Sequence, residues 1–477
     1  MKPIRNFVCD RHSVIAGIAH IGVGNFHRAH QAYYTNLLLE HPDQRQWAIC
    51  GIALRPSDEQ LVRALRSQQN EYTLSVCGGG SDETFRIGSL VELLWGVEDP
   101  EAVIEKLADL AVRIITMTIT EGGYNIDKTT GEFRLSDEEV AHDLRHPAAP
   151  RTVFGFVAAG LRRRMERNGG AVTILSCDNL QHNGDTACRA FTAFIEAQDK
   201  RLAAWVAGNV TFPNSMVDRI TPAVHPADRA RLNAANGTDD AAPVYCEEFI
   251  QWVIEDRFIA GRPAWERVGV EFTEDVTAYE TMKLSLLNAS HTMLSYPAFL
   301  AGYRKVDEAI RDERFVGYLR DFMDKDITPY VPAPGKIDLA RYKQTLLERF
   351  GNRSVGDQLA RLCSDGISKI PVYIVPNLAK MLRDGGDLRR VAFFTAVYRR
   401  YLRAAADDTG GSYVIDEPRL TADDRRRIAS DDVLDFLALS PFASLGLHAD
   451  ERFTEAYRTM AAATACRKVT DLLESIL

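Results

Sequence analysis

Three polar residues in the middle of the chain have the types and the spacing for acid–base chemistry on an alcohol. They are Lys283, Asn288 and His291 in the run KLSLLNASH. No Gly or Pro interrupts residues 282–295, so we predict a helix there. At about 100° per residue, Asn288 lies about 140° and His291 about 80° from Lys283 round an α-helix. The three side chains therefore share one broad side of the predicted helix.

The neighbours of these residues suggest what the lysine could do. Leu284 and Leu287 fall on the same side, so an amine there would be partly desolvated, which disfavours its charged form. A neutral lysine can take the proton of an alcohol, and Asn and His can donate hydrogen bonds to the developing oxyanion. The same window also fits a helix with three polar residues at a domain boundary and no catalytic role. This window leaves both interpretations open.

Length and composition narrow the class of protein. The chain has 477 residues, of which 46% are hydrophobic and 26% charged, as expected for a globular protein of two domains. A net charge of −9 argues against a nucleic-acid-binding surface, and no apolar run approaches the roughly 18 residues of a membrane-spanning helix. The eight Cys have no C-x-x-C pair or zinc-ligand spacing. We therefore expect reduced thiols, a cytoplasmic protein and no metal site.

The N-terminal part begins as a dinucleotide-binding unit does. Residues 14–23 predict a buried strand that runs into Gly22 and Gly24, and residues 31–40 have helical character. The first Gly permits a tight turn, the second lets a pyrophosphate approach the backbone, and the helix N-terminus attracts its charge. His27 replaces the third Gly of the usual motif. We therefore expect the helix to pack less closely on the strand or to start differently.

The next predicted strand, residues 47–54, bears on the choice of cofactor. An acid after this strand would accept hydrogen bonds from the adenosine ribose and favour NAD over NADP. Asp58 is the nearest acid, at an unusual spacing, and it could instead cap a helix that begins at Glu59. Arg55 could bind a 2′-phosphate, which leaves NADP open.

Polar residues follow two further predicted strands, residues 112–120 and 170–176. Ligands of doubly wound sheets bind beyond the carboxyl ends of the strands, so Thr118, Glu121 and Asn179 lie where a site is expected.

A glycine-rich segment separates two more strand-like runs, residues 72–77 and 84–90. Its sequence is Gly78-Gly79-Gly80-Ser81, and we predict a hairpin here rather than a phosphate-binding loop.

Beyond Lys283 the apolar spacing becomes mostly helical. We predict an α/β protein: a Rossmann-type, doubly wound domain at residues 1–280, then a mostly α-helical substrate-binding domain at 281–477. In the second domain, Arg361 and Lys369 flank an Asp-Gly turn. Such cations could bind substrate hydroxyls or a carboxylate, or they could be surface charges.

Together these segments resemble the polyol-specific long-chain dehydrogenase/reductase family. The resemblance covers almost the whole chain and rests on GVGNFHRAHQAYY from Gly22, TITEGGY from Thr118, LSCDNLQHNG from Leu175, FPNSMVDRITP from Phe212, QWVIEDRF from Gln251, KLSLLNASH from Lys283 and DGISKIP from Asp365. It implies metal-independent oxidation of a secondary alcohol of an acyclic polyol, with NAD accepting the hydride, by an enzyme that is often a monomer.

The resemblance also implies roles for single residues. Lys283 is expected to be the general base, and Asn179 and Asn288 are expected to polarise the reacting oxygen. Glu121 occupies the position associated with proton passage to solvent. The residues expected to bind the sugar chain are His291, Asp218, Arg361 and Lys369. Those expected to bind the cofactor are Gly22, Gly24, Phe26, Arg28, Asp58 and Thr118.

The expected reaction is the interconversion of D-mannitol and D-fructose. Oxidation of D-arabinitol or D-sorbitol and reduction of fructuronate to mannonate stay open, although a carboxylate substrate would need another cation beside Arg361 and Lys369. A catalytically silent NAD-binding regulator could use the same fold. The trio of Lys283, Asn288 and His291 argues against a regulator, which has no need of a base.

Overall fold

The computed structural model describes residues 3–78, 82–127, 130–335, 337–404 and 406–476. The chain divides into two compact units, Met1–Val276 and Thr277–Leu477. The boundary predicted near residue 280 lies in the first helix of the second unit. None of the described helices has both the length and the apolar character needed to cross a membrane.

The first unit contains strands and helices in alternation. In its described part, strands β1 to β13 span Ile4–Arg5, Ile18–Ile21, Ile49–Ala53, Tyr72–Cys77, Glu83–Ile87, Leu90–Trp95, Ile114–Met117, Val172–Ser176, Val210–Thr211, Ser215–Asp218, Val244–Glu247, Gln251–Glu255 and Glu271–Thr273. Helices α1 to α9 span Asn25–Ala29, Gln31–Leu38, Glu59–Ser67, Pro100–Ala108, Glu138–Arg145, Val153–Glu166, Asn183–Gln198, Lys200–Asn209 and Pro226–Asn236. Short 3₁₀-helices span Arg11–Ser13, Pro42–Trp47, Pro56–Asp58, Glu121–Tyr124 and Trp265–Val268.

The largest sheet is parallel throughout and has the strand order β6-β3-β2-β7-β8-β9. Its short apolar strands are buried on both faces: Ile115 and Met117 of β7 pack in one hydrophobic cluster and Ile114 packs in another. The order reverses at β2 and β7, and doubly wound sheets bind ligands beyond the carboxyl ends of the strands at such a point. The predicted Rossmann-type domain is confirmed.

Two smaller sheets complete the first unit, with orders β1-β5-β4-β11 and β10-β12-β13. Strands β4 and β5 pair antiparallel, which confirms the strand pairing of the predicted hairpin. Of the segment Gly78-Gly79-Gly80-Ser81 between them, residues 79–81 lie outside the described residues.

The second unit is mostly helical, as predicted. Its described helices α10 to α21 span Thr277–Met282, Ala289–Leu300, Val306–Ala309, Glu313–Asp321, Leu339–Phe350, Leu359–Cys363, Gly366–Tyr373, Val375–Asp384, Arg389–Arg403, Ala422–Ala429, Glu451–Cys466 and Val469–Ile476. π-Helices span Lys283–Asn288 and Phe322–Ile327, and 3₁₀-helices span Thr328–Tyr330, Val433–Ala438, Ala443–Leu445 and Leu447–Ala449. Helix α11 is buried along its whole length and packs against α13, α15, α16 and α18, so it forms the centre of this unit.

Candidate cofactor cavity and candidate catalytic helix

The glycine turn directly follows β2. Gly22 has a φ of +99°, and a Cβ there would lie 2.2 Å from the carbonyl oxygen of Thr118, so this position requires glycine. A Cβ on Gly24 would meet nothing within 4 Å, so the space over this residue is open. Helix α1 begins at Asn25, immediately after that space.

His27 shows how the chain dispenses with a third glycine. Its ring stacks on the ring of His20 in β2, with centroids 3.4 Å apart and planes 13° apart. Two stacked flat rings therefore lie between β2 and α1, where the usual motif has a close backbone contact at its third glycine.

A cavity of about 460 Å³ adjoins this turn at the carboxyl ends of β2, β3 and β7. The predicted cofactor residues in its lining are Gly22, Gly24, Asp58 and Thr118. The lining suits a dinucleotide, because it offers an open glycine where a pyrophosphate must approach and an acid beyond the second strand. Phe26 and Arg28 lie outside the lining, so the structure does not place these two with the other four.

Arg28 is engaged within the protein. Its guanidinium donates to the carbonyl of Ala242 and to Oδ1 of Asn25, each at 2.6 Å, and lies over the ring of Tyr72. These contacts fix the first turn of α1. A direct contact between Arg28 and a cofactor stays a prediction.

Asp58 and Arg55 both line the cavity, beyond the end of β3. Oδ2 of Asp58 accepts the backbone N–H of Arg55 at 3.0 Å. Helix α3 does begin at Glu59, but the Asp58 side chain makes no capping hydrogen bond to it. The carboxylate therefore closes the 3₁₀-turn before α3, and an acid and a cation both line the cavity beyond the end of β3.

A buried carboxylate that was absent from the predicted site residues joins the ends of β7 and β8. Oδ2 of Asp178 accepts the N–H of Ile119 at 3.0 Å and the hydroxyl of Tyr124 at 2.8 Å, and Oδ1 accepts the N–H of Thr120 at 2.8 Å. Thr120 has a φ of +66°, a conformation that non-glycine residues rarely adopt. Asp178 thus holds a strained turn beside the cavity.

Three predicted site residues of the first unit occupy positions at or beyond strand ends. Asn179 follows Asp178 directly, and Glu121 begins the 3₁₀-helix after the strained turn. Asp218 is buried at the end of β10, in register with Gln251 of β12. The only sign of Asp178 in the sequence is an acid two residues after a buried strand.

Asp178 should make the stability of the protein depend on pH. Burial raises the pKa of this carboxyl from 3.8 to about 7. The folded state then binds more protons than the unfolded state between these values, so stability should fall as the pH rises from about 4 to about 7. Asp178→Asn removes this titration. We expect the free energy of unfolding of the wild type, minus that of the variant, to decrease over this range in urea titrations.

The control for this prediction is Asp185→Asn, because the Asp185 side chain is 57% exposed. This variant should keep the pH dependence of the wild type. If Asp178→Asn also keeps it, the raised pKa of Asp178 is wrong.

The segment that carries Lys283 is helical, but the predicted α-helical geometry is wrong over its first six residues. Residues Lys283–Asn288 form a π-helix, in which the N–H of Ala289 bonds to the carbonyl of Leu284, and α11 begins at Ala289. A π-helix closes i→i+5 hydrogen bonds and so holds more residues in each turn. The angle round the helix axis between Asn288 and Lys283 is therefore smaller than α-helical geometry predicts. Such turns are frequent at functional sites.

Five of the six residues of this turn, Ser285 included, are buried. Lys283 is 4% exposed, and Leu284 and Leu287 are also buried. Within the described part of the chain, the buried Oδ1 atom of Asn288 has no hydrogen-bond partner. Because buried polar atoms are normally paired, this amide oxygen retains the capacity to accept a hydrogen bond from a bound molecule.

Three predicted substrate residues of the second unit, His291, Arg361 and Lys369, lie on α11 or on helices that pack against α11. Helix α16, which carries Lys369, packs against the π-helix, and α15, which carries Arg361, packs against α11. Nζ of Lys369 donates to the carbonyl of Arg361 at 3.1 Å. His291 is buried in α11 and stacks on Phe350, with ring centroids 4.1 Å apart.

Arg361 is held by a bidentate ion pair. Its Nε and Nη2 donate to the two carboxylate oxygens of Asp357 at 2.9 and 2.5 Å. Burial alone would raise the pKa of Asp357, but the charge and the hydrogen bonds of Arg361 outweigh it and hold this pKa below its usual value. The guanidinium thus has a fixed position.

Glu417 is a second buried carboxylate absent from the predicted site residues. It accepts the N–H groups of Gly366 and Ile367 at 2.9 and 3.2 Å and the hydroxyl of Tyr398 at 2.9 Å. These contacts fix the first turn of α16, the helix of Lys369. Burial raises the pKa of Glu417 to about 7. The sequence gives no sign of this role, because Glu417 is far from DGISKIP along the chain.

Among the described residues, no group of three or more His, Cys, Asp or Glu side chains is arranged to hold a metal ion. The cysteines, Cys466 at the surface included, are free thiols.

Comparison with known proteins identifies the family. The family model of the mannitol dehydrogenase Rossmann domain matches residues 16–267, and that of the mannitol dehydrogenase C-terminal domain matches residues 275–464. The chain is 44% identical over 437 residues to the polyol:NADP oxidoreductase of Gluconobacter oxydans, a match that covers 91% of this chain and 89% of that protein.

Two solved structures are similar over nearly their whole length. One is the mannitol 2-dehydrogenase of Pseudomonas fluorescens in a ternary complex with NAD and D-mannitol, with 42% identity, a TM-score of 0.94, and coverage of 99% of this chain and 96% of that one. The other is a D-sorbitol dehydrogenase in substrate-free form, with 40% identity, a TM-score of 0.86, and coverage of 98% and 96%. The predicted resemblance is confirmed, and the chain belongs to the mannitol dehydrogenase family of oxidoreductases.

Proposed function

We propose that this protein is an NAD-dependent, metal-independent polyol dehydrogenase that interconverts D-mannitol and D-fructose. The observation that carries the proposal is the buried Lys283 on a π-helix that also carries Asn288. Support also comes from the similar mannitol 2-dehydrogenase, whose complex contains NAD and D-mannitol. A nicotinamide bound by the first unit supplies the hydride acceptor.

The protein's own residues perform the proton chemistry of the proposed reaction. Lys283 takes the proton of the secondary hydroxyl in the oxidation, and burial favours the neutral amine that this step requires. Asn179 and Asn288 donate hydrogen bonds to the oxygen as its charge develops. Glu121 passes the proton to solvent.

The remaining polar residues bind the polyol chain in this proposal. They are His291, Asp218, Arg361 and Lys369. The ion pair of Arg361 with Asp357 and the bond from Lys369 to the Arg361 carbonyl limit the movement of the two cations. A positioned donor set favours one substrate geometry because it loses little entropy on binding.

NAD is the proposed cofactor, with Asp58 accepting from its adenosine ribose. NADP is the alternative, because Arg55 lines the same cavity and the similar Gluconobacter protein is named for NADP. We further propose that the enzyme works as a monomer, as the family resemblance implies, and in the cytoplasm, as its scattered cysteines without a C-x-x-C pair suggest.

Initial rates of reduced-cofactor formation test this function. The substrates are D-mannitol, D-arabinitol, D-sorbitol and D-mannonate, each with NAD and with NADP, in the presence of a chelator. We expect the highest kcat/KM for D-mannitol with NAD.

Other outcomes of this panel would replace the proposal. A preference for D-sorbitol would favour the second candidate, which the similar D-sorbitol dehydrogenase supports. Turnover of mannonate alone would assign the enzyme to hexuronate metabolism. Binding of cofactor without turnover would indicate a silent regulator.

A further inference from the structure

Two buried histidines lie beside the glycine turn and have no part in the proposed reaction. They are His20 in β2 and His27 in α1, the stacked pair described above. Burial lowers the pKa of His20 to about 3 and holds the pKa of His27 well below its usual value. Both rings are therefore neutral at neutral pH. A neutral imidazole has one donor and one acceptor nitrogen, so the contacts of His20 determine its tautomer.

The contacts of His20 place the proton on Nε2. This atom lies 3.0 Å from the carbonyl oxygen of Gly22, which can only accept a hydrogen bond. Nδ1 lies 2.7 Å from Oγ1 of Thr116 and must then accept the hydroxyl proton of that threonine. The ring thus connects the central strand β7 to the first glycine of the turn.

Gln31 completes this chain of hydrogen bonds. Its side-chain amide lies 3.0 Å from Oγ1 of Thr116, which now needs a donor because its own proton points to His20. The opposite end of the amide, Nε2, is buried without a partner among the described residues. Rotating the amide by 180° provides the donor and pairs the buried nitrogen. The chain then runs in one direction, from Gln31 through Thr116 and His20 to Gly22.

The carbonyl of Gly22 accepts three hydrogen bonds within the turn and from its neighbours. Besides His20, it accepts the hydroxyl of Thr118 at 2.7 Å and the N–H of Gly24 at 2.8 Å. The last bond fixes Gly24, the residue with open space above it. The orientation of this carbonyl therefore sets the orientation of the backbone that a pyrophosphate would approach.

We propose that His20 is a positioning residue for the dinucleotide turn: its Nε2–H holds the Gly22 carbonyl, and Gln31 and Thr116 hold its tautomer. This inference rests on the proposed function, because it concerns how tightly the first unit binds a nicotinamide dinucleotide. It predicts that a donor at the position of Nε2 matters more than a donor at the position of Nδ1.

Two substitutions of His20 separate these positions. The amide nitrogen of Gln can occupy the place of imidazole Nε2, whereas the shorter Asn reaches only the place of Nδ1. We expect His20→Asn to raise the Kd for NADH about three- to tenfold, and His20→Gln to stay within about twofold of the wild type. NADH fluorescence titration measures the Kd, and thermal unfolding of each free variant measures folding. The KM for the polyol should not change in either variant.

A second pair of variants tests this chain of hydrogen bonds, called the relay below, without altering the imidazole ring of His20. Thr116→Val removes the hydroxyl that holds the tautomer, and Thr173→Val removes a hydroxyl of the same sheet that bonds to the hydroxyl of Thr211. We expect weaker NADH binding for the first variant and unchanged binding for the second. Equal Kd values for His20→Asn and His20→Gln, or an unchanged Kd for Thr116→Val, would overturn the inference. If the wild type binds neither NADH nor NADPH, the proposed function falls, and the inference with it.

Discussion

Replacing Lys283 with Ala should lower kcat for polyol oxidation by about 10²- to 10⁴-fold, the range typical of a lost general base. Lys283 is buried, and its amine is the proposed acceptor of the hydroxyl proton. Binding of NADH should persist, because the cofactor cavity is lined by residues of the first unit. Steady-state rates at saturating cofactor and polyol measure the first effect, and NADH fluorescence measures the second.

The chain contains a matched control for this variant. Lys325 lies in the second described π-helix, Phe322–Ile327, where its side chain is 57% exposed and pairs with Asp321. Lys325→Ala makes the same chemical change in the same type of turn, and it should leave kcat near the wild-type value. A Lys283→Ala enzyme that keeps near-normal kcat from neutral to alkaline pH would show that another group is the base.

The same substitution should affect different properties at the two glycines of the dinucleotide turn: cofactor affinity at Gly24 and stability at Gly22. Gly24→Ala should fold normally, because its φ of −78° suits alanine and the added Cβ meets no atom within 4 Å. The Cβ would occupy the space that a pyrophosphate needs, so we expect the KM for the cofactor to rise by about 30- to 100-fold.

Gly22→Ala should instead lower the free energy of unfolding by about 2 to 4 kcal/mol, because its φ of +99° and a Cβ 2.2 Å from a carbonyl oxygen force the backbone to move. Urea unfolding of both variants, together with cofactor titration, separates the two effects. A Gly24→Ala enzyme with normal cofactor affinity would show that the dinucleotide binds elsewhere.

The elements of the first unit could be predicted because their signals are local. The apolar segment before Gly22 and the strands β7 and β8 each appear in the sequence as one continuous pattern. Segment order then suffices for a parallel sheet, since helices alternate with strands. The glycine turn was predictable for the same reason, because each glycine has its own steric requirement.

The parts of the structure that could not be predicted from the sequence depend on contacts between distant segments. Asp178 and Glu417 bind backbone N–H groups of other segments, and no spacing rule connects an acid to a turn about 50 residues away. The relay from Gln31 to Gly22 likewise needs a strand pairing that brings Thr116 beside His20. Both networks exist only once the sheet or the helical unit has formed.

The π-helix at Lys283 could not be predicted from the sequence for a different reason. Helix propensities describe which residues favour a helix. They carry little information on whether a turn inside that helix closes i→i+5 hydrogen bonds. The sequence KLSLLN therefore predicted the helix correctly and the relative directions of Lys283 and Asn288 wrongly.

Identification of the reaction product tests the central claim most directly. The enzyme is mixed with NAD, D-mannitol and a chelator, NADH is followed by absorbance, and the sugar formed is identified by carbon-13 NMR. Oxidation of a secondary hydroxyl predicts D-fructose in a one-to-one ratio to NADH. Formation of an aldose, or NADH binding without any product, would contradict the account.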